Sequence, residues 1–528
     1  MRQIAAVMLV GCFALCVSTA TAAPPQRGGA LSYGLYQAPD QLDPNLTPYR
    51  PSQLVFFQIF DTLIVRDRKD KSFKPYLAQS WTISPDGRVY TFKLRPGVTF
   101  HDGTPVDAAA VKFNFDRTHD PKLATRIGDV AIGFYDRAEV VDPLTVRIYL
   151  KSPWAPFLDA ASLYYRMASP TAVRKYGDAD FGTHPVGSGP FRFVEWVPND
   201  HITLARNDAY SWAPSTANHP GTSYIDGVTF RIIPEDATRV AALENGEVQV
   251  IDTAPARDFD RLVQTGRYRA LIGYAPGRPF SFAINVTKSP TDELSVRQAL
   301  EYGINRAGIV NIVYGPYQKL GAYLPAYGDL TPYTWGYDKT AGIYDFNPSK
   351  AKRLLDEAGW KEGPDGIRQK NGVRLAVPLG DWDHGVPEVM QDQLRAIGVD
   401  LKVLVAPALV VNENQRKFIT LLSPLPAART DPNTVSRLHS RFVGGGGFNF
   451  SFVKNPELDR LLDAQVSEPN PAKRLALLSQ IQHIIMAQAY MLPVYDYDNI
   501  SIEAQSVQDL QFNELGFFPV LHDAWLSK

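Results

Sequence analysis

The 528-residue chain has almost no cysteine: Cys12 and Cys16, both inside its first 22 positions. Beyond them there is no thiol to form a disulfide, act as a nucleophile or hold a metal as thiolate. A charge surplus is missing too. Lys and Arg total 54 against 55 Asp and Glu, a formal net charge of −1. No basic excess can neutralise phosphates, which excludes nucleic acid as the main partner. After the amino terminus no apolar run approaches the ~20 residues that a membrane-spanning helix needs. The nine histidines are scattered and form neither His-x-His nor His-Glu-x-x-His, so no metal site is expected. There is no Gly-Lys-Ser/Thr phosphate loop and no Gly-x-Ser-x-Gly nucleophile elbow. Gly187-Ser188-Gly189 stands between Pro185 and Pro190 and reads as a tight turn feeding a strand, with glycines that permit backbone conformations barred to other residues. No catalytic residue, metal ligand or cofactor is expected.

What is present reads as a large globular protein. Hydrophobic residues make up 45% and charged residues 21%, ordinary globular values, and the length suggests about three domain-sized units. The first 22 residues read as a secretion signal: Arg2, an apolar stretch from Ile4 to Val17, and Ala20-Thr21-Ala22 as a small-x-small cleavage site. An exported, periplasmic protein beginning at Ala23 follows. Leu9-Val10-Gly11-Cys12 also matches a lipoprotein box. Lipid attachment at Cys12 is the weaker alternative, because only half a normal apolar segment precedes it and apolar residues continue after it.

Both secondary-structure periods occur. Alternation marks strands at Val89–Leu94, Thr145–Leu150, Phe191–Trp196 and Val228–Ile233. Helical spacing marks Ala237–Gly246, Val296–Val313, Ser349–Ala358, Glu388–Ile397, Asn455–Gln465 and Pro471–Ala489. Asn347-Pro348 opens one helix and Gly359 stops it. The mixture predicts an α/β or α+β architecture. Asp381 and Asp383 have the spacing of an acid–base pair, but in a chain so rich in carboxylates they read as a solvated loop. Gly444–Gly447 reads as a flexible loop, with backbone amides that an anion could use.

A set of ordered blocks resembles one family. Leu77-Ala-Gln-Ser-Trp81 and Ser84-Pro-Asp-Gly87 lead into Tyr90–Arg95 and Gly97–Val106. Leu42-Asp-Pro44 precedes them. Pro185–Phe191 with Arg206-Asn207 and Tyr210, Val296–Leu300 through Ile304-Asn-Arg306, Ala351–Gly359, Leu394–Val399, Asp431-Pro432 and Asn455–Asp459 follow in order. Together they are similar to the family-5 extracellular solute-binding proteins, the peptide-, nickel- and opine-binding subunits of ABC importers. The resemblance implies an α/β, two-lobed periplasmic-binding-protein fold of the large cluster-C type, with an extra subdomain in the amino-terminal lobe. It implies a lobe 1 core at 27–61, 184–285 and 500–528, an accessory subdomain at 62–183 and lobe 2 at 286–499. The chain would cross between lobes at Ala283–Val286 and after Pro493–Tyr495. The implied partners are a small solute, a membrane permease and its ATPase subunits, with the binding protein a monomer that performs no covalent chemistry. An exported hydrolase on the same scaffold is the remote alternative.

The resemblance also marks a departure. Dipeptide-binding relatives carry a segment resembling Trp-x-x-Asp-x-x-Asp-Pro whose first Asp holds the peptide amino group. Anchored on Asp431-Pro432, that Asp falls on Ala428 and the Trp on Leu425, with Arg429 beside the vacancy. Those relatives hold the peptide carboxylate with an Arg in the loop before the helix at Glu388–Ile397; here the loop is Gly380-Asp381-Trp382-Asp383-His384-Gly385. Both anchors for a free peptide are missing. The candidate ligand residues are therefore Asp381, Trp382, Asp383, His384, Leu425, Ala428, Arg429, Phe448 and Asn449. The expected ligand is non-standard: a sugar-phosphate, an opine-like conjugate or a modified peptide. An ordinary oligopeptide or dipeptide is the alternative. Trp382 reads equally as a stacking face or a buried wall.

Intact-mass analysis of the exported protein should give a chain starting at Ala23; a diacylglycerol adduct on Cys12 would replace this reading with the lipoprotein one.

Overall fold

The computed structural model describes residues 24–123, 134–382, 385–444 and 447–527. The expected signal segment and Cys12 lie outside them.

Three sheets carry the architecture. The largest has seven strands in the order Tyr268–Gly273, Asn499–Ala504, Val250–Ile251, Ala30–Leu35, Gly227–Ile232, His201–Arg206 and Phe191–Val197. A five-stranded sheet runs Asp400–Val405, Ala376–Asp381, Leu422–Pro424, Phe280–Ile284 and Met491–Tyr495. A four-stranded antiparallel sheet runs Ala78–Ile83, Val89–Leu94, Thr145–Leu150 and Tyr135–Asp142. Thr145–Leu150 buries alternate residues, Val146, Ile148 and Leu150, as a sheet with one wet face requires. Helix Ala108–Thr118 covers its dry face through Val111 and Phe115. One continuous apolar cluster joins this sheet to the seven-stranded one, and two further clusters fill the region around the five-stranded sheet.

The first and second sheets are connected by two chain passages. Tyr268–Gly273 pairs with Asn499–Ala504 in one sheet, and the same passages pair again in the other as Phe280–Ile284 with Met491–Tyr495. Phe280–Ile284 thus belongs with the five-stranded sheet. The outgoing passage crosses at 274–279, ahead of the expected Ala283–Val286, because Phe282, Ala283 and Ile284 ladder with Leu422–Pro424.

Two expectations about local structure change. The single helix expected over Val296–Val313 is two, Leu294–Gly303 and Arg306–Gln318. Ile304 is extended, and the Asn305 side chain caps the second helix by accepting from the Gly308 amide at 2.9 Å. The glycines at 187 and 189 are needed for close approach, not for left-handed backbone: neither has positive φ. A Cβ on Gly187 would sit 2.1 Å from the Ile59 carbonyl oxygen, and one on Gly189 would sit 2.7 Å from that of Gln58. Asp86-Gly87, by contrast, makes the expected strand-joining turn, with Gly87 at φ +69°.

Next to the outgoing passage, Arg278 grips Asp329 with two bonds of 2.7 and 3.0 Å, both side chains fully buried. Arg278→Ala strands a carboxylate without its partner and should destabilise the protein by ~3–5 kcal/mol. Replacing both residues by apolar ones should recover most of the loss, as read by urea unfolding; equal losses in the single and double variants would show that the pair contributes nothing specific.

Candidate ligand-binding cleft

Between the sheets the two backbones no longer ladder with each other, and side chains together with the backbones of Leu324, Thr331 and Arg429 take up their polar groups. The Asp498 carboxylate accepts from the Ala275 amide at 3.1 Å and the Tyr323 amide at 2.9 Å. Thr331 donates to the Ala275 carbonyl at 2.9 Å, and the Gly277 amide donates to Thr334 at 2.6 Å. Gly277 is left-handed at φ +115°, and a Cβ there would lie 2.0 Å from the Ala427 carbonyl oxygen. This close approach lets Gly277–Arg278 pair with Ala427–Ala428. An aromatic wall flanks the crossing: Tyr495 stacks on Phe280 at 4.8 Å, Trp382 meets Phe280 edge-on at 6.2 Å, and Tyr497 reaches Phe517 at 5.6 Å.

The cleft floor brings together charged groups from distant segments. Thr430 donates to Asp159, which also pairs with Arg66 at 2.9 Å. The Arg429 guanidinium lies 5.3 Å over the Tyr164 ring and donates only to its neighbour's carbonyl, Ala428, at 2.8 Å. Arg437, Asp159 and Glu514 also lie within electrostatic reach of Tyr164. Arg166 sits 3.4 Å from the Phe57 ring centroid and donates to the Phe60 carbonyl; burial lowers its pKa to about 10. Among the described residues neither Arg166 nor Arg429 has a salt-bridge partner. Burial, reinforced by Asp159, pushes Glu514 up to about 7. Arg66, Arg166 and Glu514 line a cavity of about 160 Å³ between the segment around the four-stranded sheet and the carboxy-terminal segment. In the same cavity wall Tyr76 bonds to Asp61, which also accepts from Ser188 and Trp212 at 3.0 Å each. Ser188 is thus a buried donor in a structural network, as the turn reading of Gly187–Gly189 expects.

The residues singled out in the sequence separate into distinct environments. Ala428 packs against the apolar cluster of the seven-stranded side, and Arg429 faces Tyr164 across the cleft. Trp382 is half-buried against the core of the five-stranded sheet, a placement compatible with a wall or a stacking face. Asp381 is fully buried at its strand end and accepts from the Trp382 amide at 2.8 Å, which corrects the solvated-loop expectation. Asp383 and His384, with Gly445 and Gly446, lie outside the described residues. Leu425 is a core residue. Asn449 is buried, and its amide donates to the carbonyls of Leu438, His439 and Val453 at 3.0–3.1 Å. Phe448 packs beneath Arg437, 4.9 Å away. Asp431 forms two bonds to Arg474 at 2.6 and 2.7 Å and caps the following turn, which fixes the segment that carries Arg429. The sequence reading missed Arg66, Asp159, Arg166 and Glu514. For Arg166 a signal existed: a lone cation inside the aromatic and apolar run Leu163–Ala168.

Two α/β units joined by a double crossing around a polar cleft define a solute-binding protein. Residues 72–441 match the bacterial extracellular solute-binding proteins, family 5, over the middle region of that family, and the chain belongs to it. The glutathione-binding proteins GsiB of Shigella dysenteriae and Escherichia coli are 30% identical over 479 residues, 86% of each chain. NikA of Brucella suis, solved with Fe(III)-EDTA, superposes with a TM-score of 0.84 at 26% identity, covering 94% of this chain and all of that one. The oligopeptide-binding protein AppA of Bacillus subtilis, solved with a nonapeptide, gives 0.79 at 24% identity, covering 96% and 100%. The fold is the two-lobed α/β binding-protein architecture. Among the described residues no helix is long and apolar enough to cross a membrane.

Burial, reinforced by Asp498, pushes Asp496 in the returning passage up to about 8, and burial pushes Asp498 up to about 7. An acid whose folded pKa exceeds its unfolded value of about 4 holds its proton more tightly when folded. Its stabilising contribution is present at low pH and is lost as pH rises towards the folded value. Asp496→Asn should therefore raise the melting temperature at pH 8 while changing it little at pH 4; an equal shift at both would show that Asp496 does not titrate in this window.

Proposed function

We propose that the protein is the exported, periplasmic solute-binding component of an ABC importer. It acts as a monomer that captures a small anionic solute between its lobes and delivers it to a membrane permease driven by ATPase subunits, without turnover. The seven-stranded sheet with the accessory segment at 62–183 forms one lobe, and the five-stranded sheet with its helices forms the other. The observation that carries the ligand reading is the pair Arg166 and Arg429, one on each lobe, neither of which forms a salt bridge among the described residues, although Glu514 and Asp61 lie within electrostatic reach of Arg166. Buried charges need partners, and a carboxylate or phosphate supplies charge-assisted hydrogen bonds to guanidinium groups. Ala428 offers no counter-charge where the resemblance to dipeptide binders would put one.

The ligands this favours are opine-like conjugates, sugar-phosphates and modified peptides with more than one acidic group. Glutathione belongs to that chemistry: its γ-linked glutamate leaves two free carboxylates, and relatives at 30% identity carry the name of glutathione-binding proteins. The second reading is an ordinary peptide. Asp159 and Glu514 support it, because a peptide ammonium could meet them in place of the missing acid at position 428.

Calorimetry should give tighter binding for glutathione, opines or phosphosugars than for unmodified dipeptides, with scattering showing compaction on binding. Arg429→Ala removes charged hydrogen bonds worth ~1.5–3 kcal/mol, so affinity should fall roughly 10–150-fold. Tight binding of plain dipeptides, unchanged by Arg429→Ala, would replace the anionic reading with the peptide one. Steady product formation from a bound ligand would make the protein an enzyme.

A further inference from the structure

The loop at Asn218–Ser223 and the carboxy-terminal segment at Leu521–Asp523 meet in a cluster of two histidines and a carboxylate, and His522 and Asp523 also line the cavity that holds Arg166. One donor atom each from His219, His522 and Asp523 lies within 4.8 Å of the others. His522 and Asp523 are buried, and the His219 side chain is 13% exposed. No motif spacing announces this set, because its members come from opposite ends of the lobe.

Proton placement makes the cluster unusual. His522 Nε2 lies 2.7 Å from the Gly221 carbonyl oxygen. A carbonyl only accepts, so Nε2 carries the hydrogen and donates it. The other nitrogen, Nδ1, faces Asp523 Oδ1 at 3.0 Å. A proton or a metal ion can close that approach. His219 Nε2 lies 3.6 Å from the same carboxylate oxygen. The other oxygen, Oδ2, accepts from the Asn218 amide at 3.0 Å and so fixes the carboxylate's orientation. The His522 carbonyl oxygen, 3.4 Å from His219 Nε2, is held by Ser223 Oγ at 2.9 Å.

The geometry points to a divalent transition-metal site of the zinc class, ligated by His219 Nε2, His522 Nδ1 and Asp523 Oδ1. Two imidazole nitrogens and one carboxylate suit Zn²⁺, with a fourth position left for water. A cation at that point takes the place of the Nδ1 proton. Gly221 and Asn218 play the outer role typical of metal sites, one taking the second N–H of a ligating imidazole and the other orienting the carboxylate. The two rings stack with centroids 4.3 Å apart and planes 20° apart. Both lone pairs can meet one ion only after one ring tilts, and His219, the less buried, is the one that can turn. Arg27 opposes the ion, but its charge is drawn to Thr222 Oγ1 at 2.8 Å. The role is structural: the ion ties the 218–223 loop to the carboxy-terminal segment.

The test uses the untagged full chain, stripped of metal, with Zn²⁺ titrated by calorimetry and Co²⁺ by its d–d absorption. One equivalent should bind, with a tetrahedral Co²⁺ spectrum and a raised melting temperature. His219→Ala, the variant least able to disturb the core, should weaken Zn²⁺ binding by more than the roughly 10–100-fold that loss of an outer partner costs, and should abolish the thermal shift. Asp523→Asn should weaken binding while leaving the fold intact by circular dichroism. Zn²⁺ affinity unchanged in His219→Ala would place any bound ion elsewhere and overturn the proposal. Absence of Zn²⁺ and Co²⁺ binding would equally overturn it.

Discussion

The structure depends on a ladder that has to break. Two chain passages run antiparallel through both large sheets, paired as Tyr268–Gly273 with Asn499–Ala504 and again as Phe280–Ile284 with Met491–Tyr495. Between those pairings the two backbones do not ladder with each other. Asp498, Thr331 and Thr334 supply side-chain partners, the backbones of Leu324, Thr331 and Arg429 supply others, and Gly277 admits the neighbouring strand at a distance no side chain would allow. A continuous sheet would make one rigid body. A break in the ladder leaves each sheet's core intact on its own side, the arrangement that domain closure requires.

The cleft draws its character from that gap. Phe280, Trp382, Tyr495, Tyr497 and Phe517 build an aromatic wall at the crossing, and Arg429 lies over Tyr164 beyond it. The chain is almost neutral overall, yet charged groups of both signs are gathered near the crossing. Net charge describes solubility and partners at long range, while local charges act at contact distance.

The sequence made the scaffold readable because its signals are local. Val89–Leu94 and Thr145–Leu150 alternate cleanly and are strands with those bounds. Asn347-Pro348 starts a helix at Pro348. Asn305 was a legible cap, yet the apolar spacing on either side of it masked the break between two helices. The site was less readable because it is assembled from residues far apart in the chain. Arg429 was found through its neighbour Asp431-Pro432, whereas Leu425 and Asn449, in the same stretch, face the core. Arg66, Asp159 and Glu514 have unremarkable neighbours in sequence and acquire their meaning only when the 62–183 segment packs against the carboxy-terminal segment. The glycines of Gly187–Gly189 were recognised for the wrong physical reason: the Ile59 and Gln58 carbonyls exclude a side chain there, and the dihedral angles do not.

The strand Asn499–Ala504 has a consequence in time. It lies inside the seven-stranded sheet, between Val250–Ile251 and Tyr268–Gly273, although the whole five-stranded sheet lies between it and Tyr268–Gly273 in the chain. Chains are synthesised amino-terminus first at about 5–20 residues per second. For some tens of seconds, then, the first lobe has an open slot with unpaired strand edges on both sides. Its sheet cannot close before Asn499–Ala504 has been made. The nascent protein is thus kept from its native state by its own connectivity, long enough for whatever handles unfolded chains to act on it first.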